Sequence, residues 1–84
     1  MEQVEVTFIL YTRDKCHLWE TAKGELRKAA ESIPFSYEEV DIYQSDELVE
    51  RYGLMIPVLM HESAVIQYGQ IDYDTIVNFL KNKN

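Results

Sequence analysis

The chain has 84 residues, of which 46% are hydrophobic, enough for one packed core, so residues 1–84 are expected to form a single domain. Its net charge of -7 argues against nucleic acid and anionic membranes as partners. No apolar run approaches membrane-spanning length, and the single cysteine excludes an internal disulfide and a four-cysteine metal site. A reducing cytoplasm is the expected compartment and a monomer the expected state; Met1-Glu2-Gln3 has no basic region before an apolar core and does not resemble a signal peptide.

Val4 to Tyr11 opens with alternation and ends apolar, which predicts a first strand covered on both faces. Thr12 to Lys15 forms a short polar loop in which Asp14 is a candidate N-cap. The only cysteine, Cys16, follows at once. From there to about Ser32 the apolar spacing is helical, with Leu18, Ala22, Leu26, Ala29 and Ile33 on one face and Pro34 as the stop. The lone thiol therefore lies where a buried strand passes into a helix. Free N–H groups and the positive end of the helix dipole favour a thiolate at such a point.

The local charge acts in the same direction. Five basic and three acidic residues fall between Arg13 and Lys28, so this window is +2 inside an acidic chain. An anion is attracted there and a thiolate stabilised, although a solvated helix face of mixed charge has the same composition.

Phe35 to Ile42 is the second strand, and strand, helix and strand in this order make a parallel βαβ unit. Ser45 can cap a short helix with Asp46 and Glu47 in its first turn, Leu48, Val49 and Tyr52 buried, and Gly53 as its stop. Met55 to Met60 is a third strand opened by Pro57. Glu62-Ser63 is a tight turn, and Ala64 to Tyr68 pairs back as a hairpin. Asp72 caps a last helix whose inward stripe is Tyr73, Ile76, Val77 and Leu80. The order β-α-β-α-β-β-α is that of an α/β layer structure.

Strand, Tyr11-Thr12-Arg13-Asp14-Lys15-Cys16-His17-Leu18, helix, Ile56-Pro57-Val58 and Gly69 before Asp72 together resemble a glutaredoxin of the thioredoxin superfamily, over essentially the whole chain. The nearest pattern is that of small bacterial glutaredoxin-like proteins with a Cys-His-Leu-Cys motif. The resemblance implies a thioredoxin-like, glutaredoxin-type fold: a four-stranded mixed sheet in the order 2-1-3-4, with helices on both faces and Pro57 in the cis form. It also implies Cys16 as catalytic nucleophile. Around it would stand a groove for glutathione or a peptide: Arg13 for a carboxylate, the Ile56 backbone beside Pro57 for the tripeptide's cysteine, and Gly69 and Asp72 for the γ-glutamyl end.

Two departures stand out. Where dithiol members carry a second cysteine, this chain has Trp19, so only a one-cysteine, glutathione-linked cycle remains open. Gln70 takes the place of a usual second glycine. The expected activity is monothiol thiol exchange, with glutathione as co-substrate, no resident cofactor and no metal, and with glutathione or a cysteine-containing protein as partner. The alternative is a redox-inactive module that holds a peptide or partner protein in the same groove. Trp19 would cover the gap between the first helix and the Pro57 loop, or serve as an aromatic lid. His17 is either an exposed residue or, when protonated, a neighbour that favours the thiolate.

Overall fold

The structure, a computed structural model, describes residues 6–13 and 17–82, with His17 described in its backbone alone. Strand β1 (Thr7–Thr12) buries Phe8, Leu10 and Thr12 on one face and half-buries Ile9 and Tyr11 on the other. It is thus covered on both sides, as its apolar run requires. It pairs in parallel with β2 (Ser36–Asp41), from Thr7 opposite Ser36 to Thr12 opposite Asp41. On its other side β1 runs antiparallel to β3 (Val58–His61), and β3 forms a hairpin with β4 (Ala64–Tyr68). The sheet order is β2-β1-β3-β4.

Helices α1 (His17–Ser32) and α3 (Tyr73–Lys81) lie on one face. There Ala22, Leu26, Ala29, Ile76, Val77 and Leu80 close over Phe8, Leu10 and Leu59. The short α2 (Asp46–Tyr52) lies on the other, where Tyr52 and Leu48 pack with Val58, Met60, Ile9 and Tyr11, and the Tyr11 and Tyr52 rings stack at 4.9 Å. No helix among the described residues is long and apolar enough to cross a membrane.

Several boundaries differ from the sequence expectation. The strand expected from Met55 starts only at Val58, because Gly53 to Met55 prolong the turn after α2, with the Met55 N–H donating to the Tyr52 carbonyl at 2.9 Å. The end of the expected second strand, Ile42, instead opens a 3-10 turn (Ile42–Gln44), capped by the Asp41 side chain accepting from the Tyr43 N–H at 2.9 Å. The observed stripe of α1 is Trp19, Ala22, Leu26, Ala29 and Ile33, an alternation of three- and four-residue steps. Leu18 lies at the edge of that stripe, about 60° around the helix from its centre, and is 41% exposed.

Ser45 caps α2 through its Oγ, which accepts from the Leu48 N–H at 3.4 Å. Gly53 ends it with φ -57°, in the right-handed region. Glycine is required there by space: a Cβ would lie 2.5 Å from the Val49 carbonyl oxygen. The glycine of α1, Gly24, has open room around that position.

Two mutational outcomes follow. Phe8 is fully buried, with the Phe35 and Phe79 rings at 5.1 and 5.7 Å. Phe8→Ala should cost about 3–5 kcal/mol in urea unfolding, and a loss below about 1 kcal/mol would contradict this packing. Gly24→Ala should raise stability by about 0.5–1 kcal/mol, whereas Gly53→Ala should lower it.

Candidate functional site

The residues singled out from the sequence gather at one end of the sheet. Tyr11 pairs with Val58, so the end of β1 at Thr12 lies level with Pro57. Beyond Thr12 the chain passes through Arg13 toward α1. Asp14, Lys15 and Cys16, and the side chain of His17, lie outside the described residues. Thr12 is buried, and its hydroxyl donates to the Arg13 carbonyl at 3.3 Å.

On the β3 side the Ile56–Pro57 peptide bond is cis and Pro57 is fully buried. The Gly69 N–H donates both to the Met55 carbonyl at 3.0 Å and to the Pro57 carbonyl at 2.8 Å. These two bonds bracket Ile56. Among the described residues, no hydrogen bond falls on its own N–H or C=O. Gly69 has φ +76°, a left-handed conformation that glycine adopts without steric cost. Ile56, Pro57 and Gly69 are thus brought together as a strand lip with one open peptide unit.

On the β2 side stands Trp19. It packs on the α1–α3 core and lines an open cleft of about 290 Å³ with Thr12, Arg13, Glu39, Asp41 and Gln44. The reason is the helical stripe, which turns position 19 inward over the β1–β2 half of the sheet. Lys23 Nζ sits 4.3 Å from the indole centroid and 3.6 Å from Glu39 Oε2, tying α1 to β2. The Trp19 Nε1–H is buried, with no hydrogen-bond partner among the described residues, so it does not open into the solvent of the cleft. Arg13 and Trp19 therefore belong to one side of the β1 end, and Ile56, Pro57 and Gly69 to the other.

Asp72 stands at the N-terminus of α3, three residues beyond Gly69, and both its polar groups are engaged inside the protein. Its Oδ1 accepts from the Thr75 N–H at 2.9 Å, and its own N–H donates to Gln67 Oε1 at 3.0 Å. Gln67 Nε2 lies 3.4 Å from Asp72 Oδ2 and 3.3 Å from Thr75 Oγ1. From α1, Glu25 Oε1 accepts the Tyr73 N–H at 2.9 Å and Glu25 Oε2 meets Lys28 at 2.8 Å. Neither Gln67 nor Glu25 was singled out by the sequence. The signal for Gln67 is a polar side chain within the otherwise apolar strand Ala64-Val65-Ile66-Gln67-Tyr68; a cap from α1, 48 residues away, leaves no local signal.

The Thr75 backbone N–H holds the Asp72 carboxyl below its usual range, helped by the Thr75 and Gln67 side chains. Glu25 is lowered first by Lys28 and then by the Tyr73 N–H. A lowered folded-state value stabilises the fold above the group's ordinary range and is lost as pH falls through it. Stability should therefore decline below about pH 4, and Asp72→Asn, which keeps a capping oxygen, should flatten that decline. Asp72→Ala should cost about 1 kcal/mol at pH 7. Urea unfolding at pH 7 and at acid pH checks both, and an unchanged acid limb in Asp72→Asn would count against the assignment.

The fold has close counterparts among solved structures. A protein of X. campestris (XcR50) superposes with a TM-score of 0.77 at 28% identity, over 89% of this chain and 96% of the other. Ne2328 of Nitrosomonas europaea gives 0.81 at 28% identity, over 94% and 96%. Thioredoxin-2, a component of the malaria parasite's protein secretion machinery, gives 0.64 over 98% of this chain and 86% of its own, and at 11% identity it speaks to the fold alone. No curated protein matches the chain. Residues 7–81 match the family model described as a glutaredoxin-like domain (DUF836). With this match and a four-stranded mixed sheet flanked by three helices, the chain is a glutaredoxin-like member of the thioredoxin superfamily and belongs to the glutaredoxin-like domain (DUF836) family.

Proposed function

We propose that this protein carries out thiol–disulfide exchange through one cysteine, with Cys16 as the nucleophile and glutathione or a cysteine-containing protein as its partner. The observation that carries this reading is the open peptide unit of Ile56, bracketed by the Gly69 bonds and lying beside the end of β1. An extended chain can pair with that strand lip through its backbone and so present a sulfur at the loop that holds Cys16. The local surplus of positive charge between Arg13 and Lys28 favours the thiolate.

The chemistry balances without an external oxidant. The Cys16 thiolate attacks one sulfur of a disulfide; a bond from Cys16 to that sulfur forms, the original S–S bond breaks, and the other sulfur leaves as a thiolate. A second thiolate, such as that of free glutathione, then attacks the substrate sulfur of the mixed disulfide and releases Cys16 as a thiolate. A reducing compartment such as the cytoplasm suits this cycle. The chain has one cysteine, so no internal disulfide can replace the second step.

The test is the mass of the protein after exposure to a disulfide probe, followed by excess free glutathione. The wild type should form a one-to-one mixed disulfide at Cys16 that glutathione removes. Trp19→Cys restores a two-cysteine spacing in the sequence and should form an internal disulfide instead. No adduct on either protein would leave a redox-inactive binding module as the better reading.

A further inference from the structure

The sheet ends in two edge strands, and they differ in chemistry. The β2 edge carries Glu38, Glu39 and Asp41 within six residues, and these carboxylates oppose the approach of another acidic chain. The β4 edge, Ala64-Val65-Ile66-Gln67-Tyr68, has neither charge nor proline, although the chain as a whole is -7. An edge of this kind is a template for a further strand.

The facing of its side chains narrows what that strand is. Val65 and Tyr68 stand opposite Met60 and Val58, on the α2 face of the sheet, where no β4 residue joins the cluster that α2 covers. They are 43% and 57% exposed. Between them, Ile66 packs toward the α1–α3 core, and Gln67, opposite Leu59, reaches Asp72 and Thr75 on that same side. Two neighbours share one face because the β3–β4 register shifts between Leu59 and Met60. From Val65 to Tyr68 the facing therefore reads the same in both directions. The backbone is available at one end of this pattern. Alternate residues bond to β3, and the Gly69 N–H donates to the Pro57 carbonyl at 2.8 Å, so the Tyr68 N–H turns to the free edge.

We propose that the β4 edge binds a second copy of this chain, antiparallel, about a two-fold axis between Ile66 and Gln67. Val65 of each copy then stands opposite Tyr68 of the other, an aromatic and β-branched pair made twice on one face, while Ile66 meets Gln67 on the opposite face. In either one-residue slip a side chain of one face meets one of the other, so the facing pattern selects this register. At the ends Ser63 meets Gln70, and no charge enters the pairing. The two sheets become one, with the Cys16 loops at its opposite ends, which departs from the monomer expected from the sequence. A single strand of five residues buries less than the roughly 1,200 Å² of stable complexes, so the association is weak and reversible.

The test is sedimentation equilibrium with concentration-dependent amide shifts, under a thiol reductant that removes any dimer linked through Cys16. A dimer should form between about 0.1 and 1 mM, with the shifts centred on residues 64–68. Added salt should strengthen it, because screening relieves the repulsion between two acidic chains. In a mixture of isotope-labelled and unlabelled copies, intermolecular NOEs should join the Val65 methyls to the Tyr68 ring. Val65→Lys and Tyr68→Ser should each weaken the dimer about tenfold, since either removes both Val–Tyr pairs at once. The wild-type NOEs carry the test if a variant fails to fold. A chain still monomeric at about 1 mM overturns the proposal. So does a dimer with its shifts or NOEs elsewhere, one that salt weakens, or one that persists unchanged in folded Val65→Lys.

Discussion

One backbone amide organises the groove. The Gly69 N–H reaches the carbonyls on both sides of Ile56, at 3.0 and 2.8 Å, and so fixes the chain before β3 against the chain after β4. Its left-handed φ of +76° lets the chain turn there on its way to α3. The Ile56 peptide unit is left open between the two bonds. The antiparallel register of β1 and β3 then sets that unit beside the end of β1, from which the chain passes to Cys16. The register is held in turn by Phe8, Leu10 and Leu59, all fully buried under α1 and α3. A one-residue slip would turn those side chains to the opposite face, so the core and the groove share a single constraint.

The two sides of the β1 end differ in chemistry. On the β3–β4 side the groove is backbone, with the helix start behind it satisfied by Gln67 and Glu25. On the β2 side, Trp19, Arg13, Glu39, Asp41 and Gln44 line an open cleft of mixed charge. In a dithiol relative a second cysteine would follow Cys16 at the position of Trp19. Here the indole is anchored in the core and under Lys23, and Lys23 in turn approaches Glu39 on β2. Position 19 thus supplies packing to the α1–β2 side rather than a thiol.

Much of this architecture was legible in the sequence because local signals carried it. Ser45 and Asp72 announced helix starts, and their side chains cap α2 and α3 as oxygen acceptors do. The apolar run of β1 showed burial on both faces. What was not legible depends on distance and phase. Leu18 reads as a core residue on four-residue steps, yet the register of α1 turns Trp19 inward instead. Gly53 reads as a helix stop, and what its site demands is room beside the Val49 carbonyl. Glu25 caps a helix 48 residues downstream, a relation that only the packing of α1 on α3 creates. The candidate residues Arg13, Trp19, Ile56, Pro57, Gly69 and Asp72 do lie at one end of the sheet, and Asp72, the helix cap the sequence signals, also takes contacts from Gln67 that it does not signal.

The central claim is that this scaffold holds a reactive thiolate at Cys16. The most direct measurement is the rate of Cys16 alkylation as a function of pH in the folded wild type. A titration midpoint well below the ordinary cysteine value of about 8.5 is the result this account predicts. A midpoint at or above that value, with slow alkylation at neutral pH, would contradict it.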